Sequence, residues 1–86
     1  MNRATLRKTL IDLLESETGT RNENLTDDTI LTEGLGLDSI DLVSLIVQVE
    51  NRLRIKIETD ELKKISRVGD LLDLLSQKVA ASQASV

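Results

Sequence analysis

Aliphatic residues recur every three or four positions in three segments of this chain, and this spacing constrains its fold more than any other feature. In the first segment, Leu6, Leu10, Leu13 and Leu14 would share one side of a helix. Proline is absent from the 86 residues and glycine occurs only four times, so little interrupts such helices. The spacing and the composition together predict an all-α fold.

The chain between the first two apolar segments has no sustained periodicity. The first helix is predicted from Arg3 to about Ser16, and Gly19 suits the left-handed position that ends a helix. From there to Leu37 we expect a long loop, with one helical turn at residues 26–29. A loop of this length is uncommon in a small domain unless it is functional or held by its own apolar residues.

The second helix is predicted from Asp38 to about Leu53 and carries two apolar stripes. Asp38 suits the N-cap, and Asp41 would complete an acidic variant of a capping box. At about 100° per residue, one arc forms a core stripe of Leu42, Leu45, Ile46, Val49 and Leu53. The second stripe, outside that arc, is Ile40, Val43 and Val47. Either the long loop covers this second stripe or the stripe faces a partner protein.

The remaining chain predicts one short helix and one long one. Thr59 would cap a short helix that ends between Leu62 and Lys64, and Ser66 would cap the last helix. The stripe of that helix is Val68, Leu71, Leu72, Leu75 and Val79. We expect one domain at residues 1–79 and a disordered tail at residues 80–86. The predicted architecture is a small four-helix bundle: three main helices, one short helix and a long loop between helices 1 and 2.

The residue types that are missing exclude several classes of function. Without cysteine or histidine the chain can form neither a disulfide nor a Cys/His zinc site. The net charge of −4 and the lack of aromatic side chains argue against nucleic-acid binding. No stretch resembles a signal peptide or a membrane span, so we expect a cytoplasmic protein without a membrane partner.

Negative charge is concentrated in the middle of the chain. Residues 22–51 contain seven acids and no base: Glu23, Asp27, Asp28, Glu33, Asp38, Asp41 and Glu50. The rest of the chain holds the other eight acids and all eleven bases. The acids surround Ser39, and composition alone leaves open whether they form a binding surface or a solvated loop.

The residues around Ser39 exclude the common forms of serine catalysis. A Ser-His-Asp triad needs a histidine. A nucleophile elbow needs glycine where Asp41 stands, and a Ser-x-x-Lys pair needs lysine where Leu42 stands. The chain is therefore not expected to be an enzyme. On local grounds alone, Ser39 could simply be the first residue of a helix.

A series of short motifs resembles the acyl carrier proteins. LTDDTIL at 25–31, LGLDSID at 35–41, ENRL at 50–53 and VGDL at 68–71 follow the family's order and spacing, and the similarity runs from Leu6 to Leu75. The resemblance implies that a phosphopantetheinyl transferase, the holo-carrier synthase, moves 4′-phosphopantetheine from coenzyme A to the hydroxyl of Ser39. The thiol of that group would then carry acyl intermediates as thioesters between biosynthetic enzymes.

The resemblance also implies a docking surface beside Ser39. Its predicted members are Asp38, Ile40, Asp41, Val43, Val47 and Glu50. In the family, the aspartate that matches Asp38 helps to hold Mg²⁺ in the synthase complex, but no metal site is expected on the carrier alone. The expected partners are the transferase and acyl-loading and acyl-transfer enzymes with basic patches, which would dock on a monomeric carrier.

Several positions depart from the family pattern. Gly34 replaces the acid usually found before Leu-Gly, and Ser44 replaces a frequent glutamate. Glu50 is followed by Asn51 and Arg52, where fatty-acid carriers often continue with glutamates. These changes favour a carrier for a specialised lipid, polyketide or aminoacyl pathway. The alternatives are a housekeeping fatty-acid carrier and an unmodified helical adaptor that binds through the second stripe.

Overall fold

Four helices account for most of the chain in a computed structural model that describes residues 2–21 and 23–84. They are α1 (Arg3–Thr18), α2 (Ser39–Leu53), α3 (Thr59–Lys63) and α4 (Val68–Ala84). These described ranges contain no strand, only an isolated antiparallel bridge between Ile30 and Arg67. The predicted all-α fold, with three main helices, one short helix and a long loop before α2, is confirmed.

Aliphatic side chains from α1, α2 and α4 form the core, and α1 packs against both other helices. The buried helical residues are Leu6, Leu10, Ile11 and Leu14 from α1, Leu45, Ile46 and Val49 from α2, and Val68, Leu71, Leu72, Leu75 and Val79 from α4. Leu42 and Leu53, the outer members of the predicted α2 stripe, are partly buried. Burial of this apolar surface is the main force that holds the helices together.

The end of α1 and the start of α2 follow local sequence signals. Gly19 adopts a left-handed conformation (φ 77°), and its amide donates to the Glu15 carbonyl at 2.8 Å. Asp38 caps α2, since its carboxylate accepts the Asp41 amide at 2.8 Å. Among the described residues the Asp41 side chain makes no return bond to the Asp38 amide, so only half of the predicted capping box forms.

The starts of α3 and α4 correct two predicted caps. Glu58, rather than Thr59, is the N-cap of α3, and its amide donates to the Glu61 carboxylate at 3.1 Å. At α4 the acceptor is Asp70, whose carboxylate receives the Ser66 amide at 3.3 Å. In both cases a carboxylate in the first turn of the helix accepts a hydrogen bond from a preceding amide. The sequence instead predicted that a hydroxyl before the helix would cap it.

Three leucines anchor the long loop. Leu25, Leu31 and Leu37 are all buried in the core between the helices. Residues 26–29 form a turn closed by a 3.2 Å bond from the Thr29 amide to the Thr26 carbonyl, rather than the predicted turn of helix. The loop is therefore a packed part of the domain, as its apolar residues required.

The same loop completes the first turn of α4. The Val68 amide donates to the Thr29 carbonyl at 2.8 Å, and the Gly69 amide donates to the Asp27 carbonyl at 2.9 Å. These are amides that a helix start leaves without an intrahelical acceptor. The absence of a side chain on Gly69 permits this close approach, since a Cβ there would lie 3.0 Å from the Cβ of Asp27. The Asp27 carboxylate also binds two arginines of α1, so α1, the loop and α4 meet at this residue.

The last helix is longer than predicted. α4 continues to Ala84, so residues 80–84 are helical rather than part of a disordered tail. Ser85 and Val86 lie outside the described residues. The core residues all lie within the predicted domain of residues 1–79.

Candidate functional site

Ser39 is the first residue of α2 and is exposed to solvent. The preceding Asp38 holds the helix start in place. Its carboxylate accepts a hydrogen bond from the Asp41 amide, and its carbonyl accepts one from the Leu42 amide at 2.9 Å. The Ser39 hydroxyl and the amides of Ser39 and Ile40 have no hydrogen-bond partner within residues 2–21 and 23–84. This corner presents a free hydroxyl beside free N–H groups at the positive end of the helix dipole.

The second apolar stripe of α2 is open to solvent. Ile40 is 78% exposed, Val43 51% and Val47 48%. The leucines of the long loop enter the core instead of covering this face. The alternative in which the loop covers the stripe is therefore wrong. The stripe begins one residue after Ser39 and runs along the outer side of α2.

The acids of the middle segment divide into two groups. Asp27 binds the α1 arginines, Glu23 binds Arg21, and the Glu50 carboxylate accepts the Ile57 amide at 2.9 Å. In the described part of the chain, Asp28, Glu33 and Asp41 have neither a salt bridge nor a side-chain hydrogen bond, and the Asp38 carboxylate bonds only the Asp41 amide of its own helix start. The acidic surroundings of Ser39 are thus smaller than the sequence indicates. Glu50, a predicted docking residue, also helps to hold the connection between α2 and α3.

Glu17 of α1 is a site residue that sequence reasoning missed. Its Oε2 atom accepts hydrogen bonds from Ser44 Oγ at 3.2 Å and from Gln48 Nε2 at 2.5 Å, both on α2. A sequence signal existed, because Glu17 follows Leu10 by seven residues and Leu14 by three and so continues the apolar stripe of α1. A charged residue at that position must meet a polar part of the neighbouring helix.

The structure shows the surroundings of Gly34 and of the basic segment that begins at Arg52. Gly34 lies in a tight turn in which its amide donates to the Ile30 carbonyl at 2.8 Å, and a Cβ at this position would lie 2.7 Å from that carbonyl oxygen. At the other end of α2, Arg54 occupies the C-cap in a left-handed conformation (φ 56°). Arg52, Arg54 and Lys56 are all exposed. A glycine turn therefore stands where the family has an acid, and a basic segment follows α2.

Neither surface cleft described in the structure involves Ser39. One cleft, of about 220 Å³, lies between the start and the middle of the long loop, beside Arg21, Leu25 and Gly34. The other, of about 270 Å³, lies between α3 and α4 beside Ile65 and Leu74. Within the described residues there is no group of three or more potential metal ligands. None of the helices described is long and apolar enough to cross a membrane.

Sequence comparisons relate this chain to carrier proteins. The family model for the phosphopantetheine attachment site matches residues 8–75, a range that includes Ser39. An acyl carrier protein of Chloroherpeton thalassium is 36% identical over 67 residues, which cover 78% of this chain and 84% of the relative. An acyl carrier protein of Guillardia theta is 31% identical over 81 residues, which cover 94% of this chain and 100% of the relative.

Comparison of folds finds other acyl carrier proteins. The crystal structure of an acyl carrier protein from Thermotoga maritima superposes with a TM-score of 0.85 at 30% identity, covering 94% of each chain. The solution structure of a holo acyl carrier protein from Geobacter metallireducens superposes with a TM-score of 0.80 at 30% identity, covering 90% of this chain and 88% of that one. The similarity thus extends over nearly the whole bundle, including the long loop.

Proposed function

The chain belongs to the acyl carrier protein family, and we propose that Ser39 is the residue to which its phosphopantetheine group is attached. As a member of this family it is a carrier on which other enzymes act, and it bears 4′-phosphopantetheine covalently. The observation that carries the proposal for Ser39 is its position. It is an exposed hydroxyl, without a hydrogen-bond partner among the described residues, at the start of the helix that bears the open apolar stripe.

The surroundings of Ser39 suit a phosphodiester. The free amides of Ser39 and Ile40 and the helix dipole favour a negative group at this end of α2. When attached, the group supplies a thiol that holds an acyl chain as a thioester. This chain has no cysteine, so the sulfur of a thioester must come from the thiol of the attached group.

The residues next to Ser39 position it and do not activate it. Asp38 fixes the first turn of α2 through the Asp41 amide. As the Oγ–phosphorus bond forms, the pyrophosphate link of coenzyme A breaks, adenosine 3′,5′-bisphosphate leaves, and the hydroxyl proton is removed. The chain has no histidine to accept that proton. We assign proton removal to the separate transferase, and the resemblance gives Asp38 a further role in holding the Mg²⁺ of that complex.

The docking surface that we propose consists of the open stripe and the acids at its start. Ile40, Val43 and Val47 would form the apolar centre, with Asp38 and Asp41 as the charged end nearest Ser39. Glu50 has a smaller part because one of its oxygens binds the Ile57 amide. Partner enzymes would cover the stripe and present basic side chains to the acids. The cytoplasmic location and the monomeric state remain predictions.

Replacement of Ser39 tests the attachment site. Wild type incubated with coenzyme A and a promiscuous phosphopantetheinyl transferase should gain the mass of the prosthetic group, and Ser39→Ala should not. Ser76→Ala, which removes an exposed hydroxyl from α4, is the matched control and should be modified normally. Circular dichroism should show the same helix content in all three proteins. A modified Ser39→Ala protein refutes the proposed site, and an unmodified wild type supports the adaptor alternative.

We further propose that the carrier serves a specialised pathway rather than housekeeping fatty-acid synthesis. The support is the basic segment of Arg52, Arg54 and Lys56, which would repel the far end of a long basic docking patch. Housekeeping elongation enzymes should therefore act slowly on wild type and faster on Arg52→Glu/Arg54→Glu, with a difference that fades as salt is added. Lys8→Glu/Lys63→Glu is the control, because it changes the net charge by the same amount at exposed positions on α1 and α3. Fast elongation of wild type would identify a housekeeping carrier.

A further inference from the structure

Glu17 presents a carboxylate to the outer part of α2 although it belongs to α1. The Ser44 hydroxyl and the Gln48 amide group both donate to its Oε2 atom, at 3.2 and 2.5 Å. All three side chains are half-buried. Both donors are neutral, so these bonds fix the position of the carboxylate and leave its negative charge in place.

The charge of Glu17 is not neutralised by a base, unlike that of the other acids on the last turns of α1. Asp12 and Glu15 both bind Arg21, at 3.0 and 3.1 Å. Glu17 makes no salt bridge within residues 2–21 and 23–84. Its field therefore extends from the junction of α1 and α2 without local compensation.

This charge lies beside the open stripe. Ser44 and Gln48 directly follow Val43 and Val47 in the sequence. At a rise of about 1.5 Å per residue, they lie about 8 and 14 Å along α2 from Ser39. Ser44 stands where related carriers frequently have a glutamate, so α2 itself has no acid between Asp41 and Glu50. The only negative group contacting this middle part of α2 in the described chain is Glu17.

We propose that Glu17 supplies the negative charge at the middle of the docking surface and is a specificity-determining contact for partner enzymes. The partner that fits is an enzyme with a basic side chain placed against Ser44 and Gln48 when its apolar surface covers Val43 and Val47. The carrier thus takes from α1 a charge that its relatives place on α2. This inference rests on the proposed function, because it concerns enzymes that must reach Ser39.

The test moves the charge between the two helices. The initial rate of modification by coenzyme A and a promiscuous phosphopantetheinyl transferase, measured by intact mass at low carrier concentration, reports kcat/KM. Glu17→Gln keeps an acceptor for Ser44 and Gln48 but removes the charge. Its kcat/KM should fall about threefold at low salt, as expected for the loss of one exposed ion pair, and approach that of wild type at high salt. Glu17→Gln/Ser44→Glu restores the charge from α2 and should recover most of the rate.

Glu15→Gln is the matched control. It removes the same charge two residues before Glu17, from a carboxylate that Arg21 already neutralises. Its rate should equal that of wild type. Equal rates for Glu17→Gln and wild type at low salt would overturn the inference while leaving attachment at Ser39 intact. A decrease that persists at high salt, or one shared by Glu15→Gln, would also overturn it. The proposed function fails separately, by the absence of modification in wild type.

Discussion

The two apolar faces of α2 have similar side chains and opposite environments. Leu45, Ile46 and Val49 are no more than 4% exposed, whereas Ile40, Val43 and Val47 are 48–78% exposed on the same helix. Residue type alone does not separate the two sets, since valine and isoleucine occur in both. One face packs in the core, and the other is the docking surface that we propose, because an apolar stripe costs solubility without adding stability when nothing covers it.

A glutamate placed on each face should separate them most strongly. Val49→Glu buries an unpaired carboxylate in the core and should lower the free energy of unfolding by about 4 kcal/mol or more, enough to unfold much of the protein. Val47→Glu adds the same group at an exposed position and should change it by less than about 0.5 kcal/mol. Urea denaturation followed by circular dichroism measures both.

The same pair of variants also tests function. Val47→Glu should fold normally but be acted on more slowly by acyl-transfer enzymes, since a charge interrupts the apolar centre of the proposed docking surface. Similar destabilisation by Val47→Glu and Val49→Glu would mean that the second stripe is buried in solution and that the two faces do not differ.

A second prediction concerns the loop whose path leaves the outer face open. Gly34→Asp introduces a Cβ 2.7 Å from the Ile30 carbonyl oxygen, so the backbone must shift. We expect a loss of about 1–3 kcal/mol in the free energy of unfolding, the range for substitutions that force the backbone to shift. Thr32→Asp adds the same charge at an exposed position two residues away and should be nearly neutral. If Gly34→Asp is as stable as Thr32→Asp, the turn does not determine the path of the loop.

A smaller, pH-dependent effect should come from the start of α4, away from the second stripe of α2. Hydrogen bonds from the Arg67 and Ser66 amides lower the pKa of the Asp70 carboxyl at the start of α4. Because the folded pKa lies below the unfolded one, this contribution to stability is complete above the ordinary carboxyl range near pH 4 and is lost as the pH falls through the lower folded pKa. The urea midpoint should therefore decrease below about pH 4.

Asp70→Asn removes this contribution and should show a weaker decrease in midpoint between pH 6 and pH 3. Asp60→Asn, an exposed change on α3, is the control and should keep the wild-type pH dependence. A second group acts in the same direction, since the bond from Lys78 at 2.7 Å lowers the pKa of the Glu61 carboxyl. An Asp70→Asn profile identical to that of wild type would show that the helix start is not held by this carboxylate.

The sequence by itself determined the helices and most of the core. Their bounds follow from the period of the leucines and from local signals such as Gly19 and Asp38, which act over a few residues. An aliphatic core was unavoidable in a chain without aromatic residues. The choice of acceptor at Thr59 and Ser66 was predicted wrongly because acids and hydroxyls at neighbouring positions compete for the same amides.

Tertiary structure decided which of the remaining groups are available to a partner. The leucines of the loop could have covered α2, and only their packing in the core leaves Ile40, Val43 and Val47 open. The seven acids of the middle segment looked equivalent in the sequence, but the arginines of α1 occupy Asp27 and the Ile57 amide occupies Glu50. Glu17 lies on α1 and contacts α2 beside the second stripe only because these two helices pack together. Hydrogen bonds and burial between distant residues depend on how the helices pack, whereas periodicity reports only on one helix at a time.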